Sequence, residues 1–125
     1  MVKRAGSEDS GVVDAFSARH ATAASLHGQT PPPGNLALPA LAHGSMSVEY
    51  YAPRGSDRQT PHTRDELYVV IAGHGTFQNG TVQHPFGPGD VIFVAAGIDH
   101  RFAEFTDDFA TWVIFYGPEG GAGAS

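Results

Sequence analysis

Glycine and proline interrupt residues 45–116 at short, regular intervals, which leaves room only for short strands. The runs between these breaks are rich in β-branched and aromatic side chains, which favour a pleated backbone. They cover residues 47–52, 66–72, 76–78, 81–83, 90–94, 98–105 and 109–116. The pair Asn79-Gly80 is typical of a type I′ turn and predicts a hairpin between two of these runs. About eight short strands separated by turns predict an all-β sandwich or barrel.

The two ends of the chain differ in composition from this central part. Residues 1–34 are rich in alanine, serine and glycine and end in the breaker Pro31-Pro32-Pro33-Gly34. We expect an N-terminal arm that is partly disordered or carries a short helix near residues 12–24. Residues 117–125 are rich in glycine and have little to bury, so we expect a flexible tail. Residues 35–116 then form the single domain.

Composition excludes several classes of function. The chain has 13 Asp and Glu against 7 Lys and Arg, and the basic residues are scattered, so we expect no nucleic-acid partner. No apolar run is long enough to span a membrane, and none follows Lys3 and Arg4 as a signal peptide requires, so we expect a cytoplasmic protein without a membrane partner. The chain has no cysteine, so any metal must be held by histidine, carboxylate or carbonyl ligands.

Three side chains beside the predicted strands are candidate metal ligands, namely His62, Glu66 and His100. Residues four apart on a straight strand are separated by about 13 Å, so His62 and Glu66 need a bent backbone to share an ion. A helix that starts at Thr60-Pro61 would bring them together. A tight turn over residues 63–65 would do so as well, with His62 at the end of one strand and Glu66 at the start of the next. The β-type run that follows Glu66 at once favours the turn. Two imidazoles and one carboxylate can hold a divalent transition metal and leave positions open for a substrate.

Strand alternation assigns further side chains to the interior that these ligands would share. Tyr68 falls on the same face as Glu66, and Phe102 and Glu104 fall on the same face as His100. Tyr68 and Glu104 carry groups suited to proton transfer, so we predict them as catalytic acid–base residues.

The last predicted strand, residues 109–116, is apolar on both of its faces. One face would pack inside a sandwich or barrel. The other face needs cover, which a second copy of the chain would supply, so we expect a homodimer.

The candidate ligands lie in two segments that resemble the two motifs of the cupin superfamily. The first motif is matched by His62, three spacers, Glu66, six spacers and Gly73. The second is matched by Gly89, five spacers, Ala95-Ala96-Gly97, two spacers and His100. The resemblance covers residues 45–116 and implies a single-domain jelly-roll β-barrel. It also implies that His62, Glu66 and His100 are the ligands of a metal inside the barrel.

The chain departs from the cupin motifs at three positions. Thr60 stands where the first motif has its first histidine, so the fourth ligand position falls to Thr60 or to the amide oxygen of its neighbour Gln59. The alternation of a strand disfavours Gln59. Ala95 replaces the proline of the second motif, and Glu104 replaces its final asparagine.

The resemblance implies a divalent transition metal, with Fe, Mn, Ni and Zn as the candidates, and leaves three functions open. The first is a metal-dependent enzyme that acts on a small organic molecule, either as a dioxygenase or as an isomerase or decarboxylase. The second is a module that binds a small molecule without turnover, and the third is a barrel that has lost its metal. The mostly apolar inner face favours a small, partly hydrophobic ligand.

Overall fold

The computed structural model describes residues 19–123, which contain one short helix, α1 (Ala23–Leu26), and eight strands. The strands are β1 (Leu38–His43), β2 (Met46–Tyr51), β3 (Asp65–Ala72), β4 (Gly75–Asn79), β5 (Val82–Phe86), β6 (Val91–Val94), β7 (His100–Phe105) and β8 (Ala110–Tyr116). They form a five-stranded sheet of order β1-β2-β8-β3-β6 and a three-stranded sheet of order β5-β4-β7. All pairs are antiparallel. The predicted all-β fold is confirmed as a two-sheet jelly-roll sandwich.

Strand β1 is absent from the sequence-based prediction because it contains Pro39, which interrupts the β-type pattern. β1 lies at the edge of the five-stranded sheet, where a residue without an N–H group is tolerated. The ladder between β1 and β2 also shifts register between Pro39 and Leu41.

The β4–β5 hairpin turns one residue later than predicted. Asn79 pairs with Val82, so Gly80 and Thr81 are the two central residues of the turn. Gly80 has a φ of 62°, and no residue other than glycine has a positive φ in the described part of the chain. A type I′ turn needs positive φ at both central positions, whereas a type II′ turn needs it only at the first. The predicted type I′ turn at Asn79-Gly80 is therefore wrong.

Aromatic packing between the two sheets forms the core. The ring of Phe102 lies 4.7 Å from that of Phe77, 4.9 Å from that of Tyr68 and 4.5 Å from that of Phe109. Tilted and edge-to-face pairs of this kind each contribute about 0.5–1.5 kcal/mol beyond their buried area. The rings of Tyr68 and Phe77 also lie 6.1 and 6.2 Å from the ring of His100, so the apolar core borders the candidate metal ligands.

The segments at both ends of the described chain contact the five-stranded sheet. Ala23 and Leu26 of α1 pack against a small apolar cluster on its outer face. The helix expected near residues 12–24 lies mostly outside the described residues. No helix within residues 19–123 has the length and apolar character needed to cross a membrane.

The glycine-rich tail, for which we expect flexibility, makes specific bonds where the structure describes it. The N–H of Gly120 donates to the carbonyl of Thr63 over 2.6 Å, and the N–H of Ala122 donates to the Asp65 carboxylate over 2.9 Å. Gly121 between them is buried. The division of the chain at residues 34 and 117 stays a prediction.

Gly73 should not tolerate a side chain, because it combines a positive φ with a close backbone approach. Its φ is 85°, and a Cβ atom there would lie 2.5 Å from the Cα of Phe109. Gly73→Ala should lower the free energy of unfolding by about 1–3 kcal/mol through its backbone conformation, and by more through the collision. Gly55→Ala is the matched control, because Gly55 has a φ of 77° and no described atom lies within 4 Å of its would-be Cβ. Urea denaturation measures both losses, and equal losses would contradict the close approach.

Candidate metal centre

The structure brings His62, Glu66 and His100 together in the interior. One donor atom from each side chain lies within 4.8 Å of the other two. The Nε2 of His62 is 3.9 Å from Oε2 of Glu66, and the Nε2 of His100 is 3.1 Å from Oε1 of Glu66. We call these three residues the His–Glu–His cluster.

Separate elements position the three side chains. Glu66 lies near the start of β3, paired with Val94 on one side and Phe115 on the other. His100 begins β7 of the opposite sheet. His62 precedes β3 in an irregular segment, so the turn interpretation is confirmed, whereas the strand expected before His62 is not formed by the described residues 57–62. The carbonyl of His62 accepts a bond from the N–H of Gly97 over 2.7 Å, which ties the first motif to the second.

The inner atoms of the cluster find no hydrogen-bond partner among residues 19–123. Both carboxylate oxygens of Glu66 and the Nε2 of His100 are buried without a hydrogen bond to any described residue. The Nε2 of His100 approaches Oε1 of Glu66 to 3.1 Å without forming a hydrogen bond with it. Buried polar atoms in native proteins nearly always have a partner. A cation between these atoms would satisfy all three at once.

A hydrogen bond outside the cluster sets the tautomer of His100. Its Nδ1 lies 2.8 Å from the carbonyl oxygen of Ile98, which can only accept, so Nδ1 carries the proton. The lone pair of Nε2 then faces the cluster, as a metal ligand requires.

Burial and the carboxylate of Glu66 act in opposite directions on the two imidazoles. Burial lowers the pKa of His62 by more than Glu66 raises it. Burial also acts to lower the pKa of His100, but Glu66 and the carbonyl of Ile98 outweigh it, and the pKa is raised. Burial, followed by the charge of Glu66, raises the pKa of Tyr68 well above its usual value, so the phenol keeps its proton.

Glu104 lies outside the cluster, and its predicted inward orientation is wrong. Thr76 pairs with Glu104 while Phe77 pairs with Phe102, so Ala103 is an extra residue on β7. Such a bulge reverses the alternation of the strand beyond it. Glu104 is exposed as a result.

Of the two residues considered for a fourth ligand position, Gln59 lies beside the cluster and Thr60 is exposed. The Oε1 of Gln59 is 3.4 Å from Nε2 of His62 and accepts a bond from the hydroxyl of Tyr68 over 2.9 Å. Strand alternation does not apply to Gln59, because residues 57–62 are irregular.

Asp57 is a site residue that sequence reasoning missed. Its carboxylate is buried and accepts bonds from the Tyr51 hydroxyl at 2.5 Å and from the N–H of Phe102 at 2.8 Å. It also accepts bonds from the backbone N–H of Gln59 at 3.1 Å and from its side-chain amide at 2.9 Å. In the sequence, Asp57 looks like an ordinary turn residue after Gly55-Ser56, since aspartate is common in turns.

A cavity of about 280 Å³ opens beside His62. Its wall has a polar part and an apolar part, formed by Asn35, Leu36, Ala37, Glu49, Tyr51, Gln59, His62, Val113 and Phe115. Burial, followed by the nearby charge of Glu66, raises the pKa of Glu49, while Arg64 acts to lower it. The mixed wall is chemically suited to a small, partly apolar molecule.

Comparisons with known proteins agree with the motifs. The Cupin domain family model matches residues 47–116. An uncharacterised protein from Streptomyces coelicolor is 34% identical over 84 residues, which is 66% of this chain and 80% of that protein.

Two solved structures share the fold. A cupin superfamily protein from Desulfitobacterium hafniense has a TM-score of 0.58 at 15% identity, covering 84% of this chain and 97% of its own. A cupin-2 domain protein from Shewanella frigidimarina has a TM-score of 0.56 at 14% identity, covering 74% of this chain and 87% of its own. At these identities, both structures support the fold alone.

The metal-free protein should gain stability when the charge of Glu66 is removed. A buried carboxylate without hydrogen bonds is destabilising, so Glu66→Gln should raise the free energy of unfolding by about 1–2 kcal/mol at a pH above the pKa values of both imidazoles. The control Glu104→Gln alters an exposed carboxylate and should change it by less than about 0.5 kcal/mol. Urea denaturation in the presence of a chelator measures both. A loss of stability in Glu66→Gln would mean that the carboxylate is satisfied without metal.

Proposed function

Because the chain belongs to the Cupin domain family, we propose that it is a metal-dependent enzyme acting on a small organic molecule. Its metal would be one divalent transition ion held by His62, Glu66 and His100. The observation that carries the proposal is the set of buried donor atoms on Glu66 and His100 that no described residue satisfies. Two imidazoles and one carboxylate are a ligand set of non-haem Fe(II) oxygenases, and imidazole also suits Ni and Zn while carboxylate suits Mn. When bound, such an ion polarises a substrate oxygen or activates a water molecule.

The exposure of the ligands gives the direction from which a substrate approaches. The side chains of Glu66 and His100 are each 1% exposed, whereas that of His62 is 31% exposed. His62 also lines the cavity, so a bound molecule reaches the centre from the His62 side. Glu49 lines the same cavity and is better placed for proton transfer than the exposed Glu104.

The acid–base role predicted for Tyr68 stays a prediction, and its contacts add a second role. The phenol keeps its proton because its pKa is well above the usual value, so it can serve only as a proton donor. Its hydroxyl donates to Gln59, which places Tyr68 behind the side chains that border the cavity. We therefore assign Tyr68 to holding Gln59 in place.

Binding of a small molecule without turnover is the alternative function, and the cavity supports it equally. Oxygen uptake by the Fe(II) form, screened over catechols, diketones and thiols, tests the oxygenase reaction. Product analysis with the Mn, Ni and Zn forms tests isomerisation and decarboxylation. A ligand that binds tightly and is recovered unchanged in all forms would favour the binding module.

Metal loading tests the proposed centre directly. After anaerobic loading with Fe(II) or Mn(II) and desalting, elemental analysis should find one ion per wild-type chain. A free metal concentration of a hundred times Kd should stabilise the fold by about 2.7 kcal/mol in thermal unfolding. His100→Ala should lose both the retained ion and the stabilisation by free metal. His74→Ala, which removes an exposed imidazole outside the cluster, should keep both. A wild-type protein that retains no metal would show that the barrel is metal-free.

The outer face of the five-stranded sheet supports the proposal of a homodimer. Two cross-strand rows of apolar side chains cover it, one formed by Leu41, Val48, Ile114, Leu67 and Phe93, the other by Leu38, Tyr50, Trp112, Val69 and Val91. Helix α1 packs on the β1 side of this face. At the β6 edge, Val91 and Phe93 are 63% and 49% exposed. A second copy would cover the apolar surface that α1 leaves open.

Phe93→Glu should convert this dimer to a monomer, because it places a charge in the proposed interface. Light scattering coupled to size exclusion measures the mass of each variant. Val82→Glu is the matched control, since Val82 is 60% exposed but lies on β5 of the other sheet, and it should remain dimeric. A monomeric wild type at micromolar concentration would contradict the proposal.

A further inference from the structure

We propose that the amide oxygen of Gln59 is the fourth protein ligand of the metal centre and that Asp57 holds it in the ligating orientation. This inference rests on the proposed metal binding by His62, Glu66 and His100. It identifies the side chain that replaces the motif histidine absent at Thr60, and it predicts which class of metal the centre prefers.

The position of Gln59 suits a ligand. Its Oε1 lies 3.4 Å from Nε2 of His62, on the border of the His–Glu–His cluster. An amide oxygen has two lone pairs, and the Tyr68 hydroxyl occupies one of them over 2.9 Å. The second lone pair faces Nε2 of His62 and accepts its proton in a long hydrogen bond when Nε2 is protonated. It becomes available to a cation when Nε2 gives up that proton to bind the same ion.

Asp57 determines which end of the amide faces the cluster. A carboxylate only accepts hydrogen bonds, so the NH₂ group of Gln59 must face Asp57, from which it lies 2.9 Å. A flipped amide would place two acceptor oxygens against each other and would leave the Tyr68 hydroxyl facing a donor. The oxygen of Gln59 therefore faces the cluster before any ion binds.

Asp57 is itself held by both sheets. It accepts a bond from the Tyr51 hydroxyl on β2 and another from the N–H of Phe102 on β7. Asp57 is 6% exposed, so these bonds are shielded from water. The support of Gln59 thus has the rigidity that buried hydrogen bonds give to the ligands of metal sites.

Replacing an imidazole with an amide oxygen changes the hardness of the ligand set but not its charge. Neutral histidine and glutamine are both uncharged, so Glu66 remains the only anionic ligand of the proposed set. Imidazole suits Zn, Cu, Fe and Ni, whereas carbonyl and carboxylate oxygens suit Mn and other hard cations. We infer that Gln59 shifts the preference of the centre towards Mn(II) and away from Zn(II).

Metal competition against a chromophoric chelator tests the ligand role. Gln59→Leu should weaken Mn(II) binding by about 10–100-fold, the loss typical when the support of a metal site is removed. Gln59→His should raise the Zn(II) affinity relative to the Mn(II) affinity by at least about tenfold, because it restores an imidazole. Gln83→Leu, which changes an exposed glutamine on β5, should leave both affinities unchanged. The EPR spectrum of bound Mn(II) reports the altered ligand set independently.

A double-mutant cycle tests the role of Asp57. Asparagine has only one acceptor oxygen, so Asp57→Asn should release the amide of Gln59 and weaken Mn(II) binding in the wild-type background. In the Gln59→Leu background the same change should have no further effect on Mn(II) affinity, because Asp57 acts through Gln59. Thermal unfolding of the metal-free variants separates a loss of fold from a loss of ligand.

The outcomes distinguish the two proposals. If the wild type binds Mn(II) and Gln59→Leu binds it equally well, the centre has three protein ligands and this inference is overturned. An unchanged ratio of Mn(II) to Zn(II) affinity in Gln59→His would overturn it as well. If the wild type binds no metal, the proposed function itself fails.

Discussion

The carboxylate of Glu66 faces the interior from a strand that has neighbours on both sides, β8 and β6. Removing a charge from water costs free energy unless hydrogen bonds or an opposite charge replace the water. Neither oxygen finds such a hydrogen bond within the described chain, although two imidazoles stand next to them. The aromatic packing around Phe102 stabilises the fold, whereas the buried carboxylate of Glu66 destabilises it. The buried carboxylate of Glu66 therefore lowers the stability of the fold locally, and a bound cation would offset this loss of free energy.

The geometry of the His–Glu–His cluster depends on how the two sheets pack against each other. Glu66 belongs to the five-stranded sheet and His100 to the three-stranded sheet, so their distance is a distance between sheets. Phe102 lies two residues beyond His100 on β7, and its ring packs among aromatic side chains from both sheets. Asp57 adds hydrogen bonds to β2 and β7. Changes in the aromatic core should therefore alter the geometry of the centre as well as the stability of the fold.

Predictions from the sequence succeeded where neighbouring residues in the chain determine the structure. Breaks at glycine and proline indicated most strands, and the motif spacing indicated His62, Glu66 and His100, which the fold brings together. They failed where the outcome depends on pairing with another strand, as for Glu104, which a bulge opposite β4 turns outward. Asp57 and Gln59 lie in an irregular segment without periodicity, so only the tertiary structure shows that their side chains reach the interior.

The side chain of His62 and the cavity wall are not independent, because Phe115 contacts His62 and also lines the cavity. Its ring lies 4.7 Å from the ring of His62 in an edge-to-face contact, and it lines the cavity beside that histidine. The guanidinium of Arg64 lies 5.9 Å from the centre of the same ring, on the segment that connects His62 to β3. A molecule that displaces Phe115 must also disturb the packing of His62. Occupation of the cavity and the position of the His62 ring are thus linked through one aromatic side chain, whereas the ring of His100 bonds to the carbonyl of Ile98 and does not line the cavity.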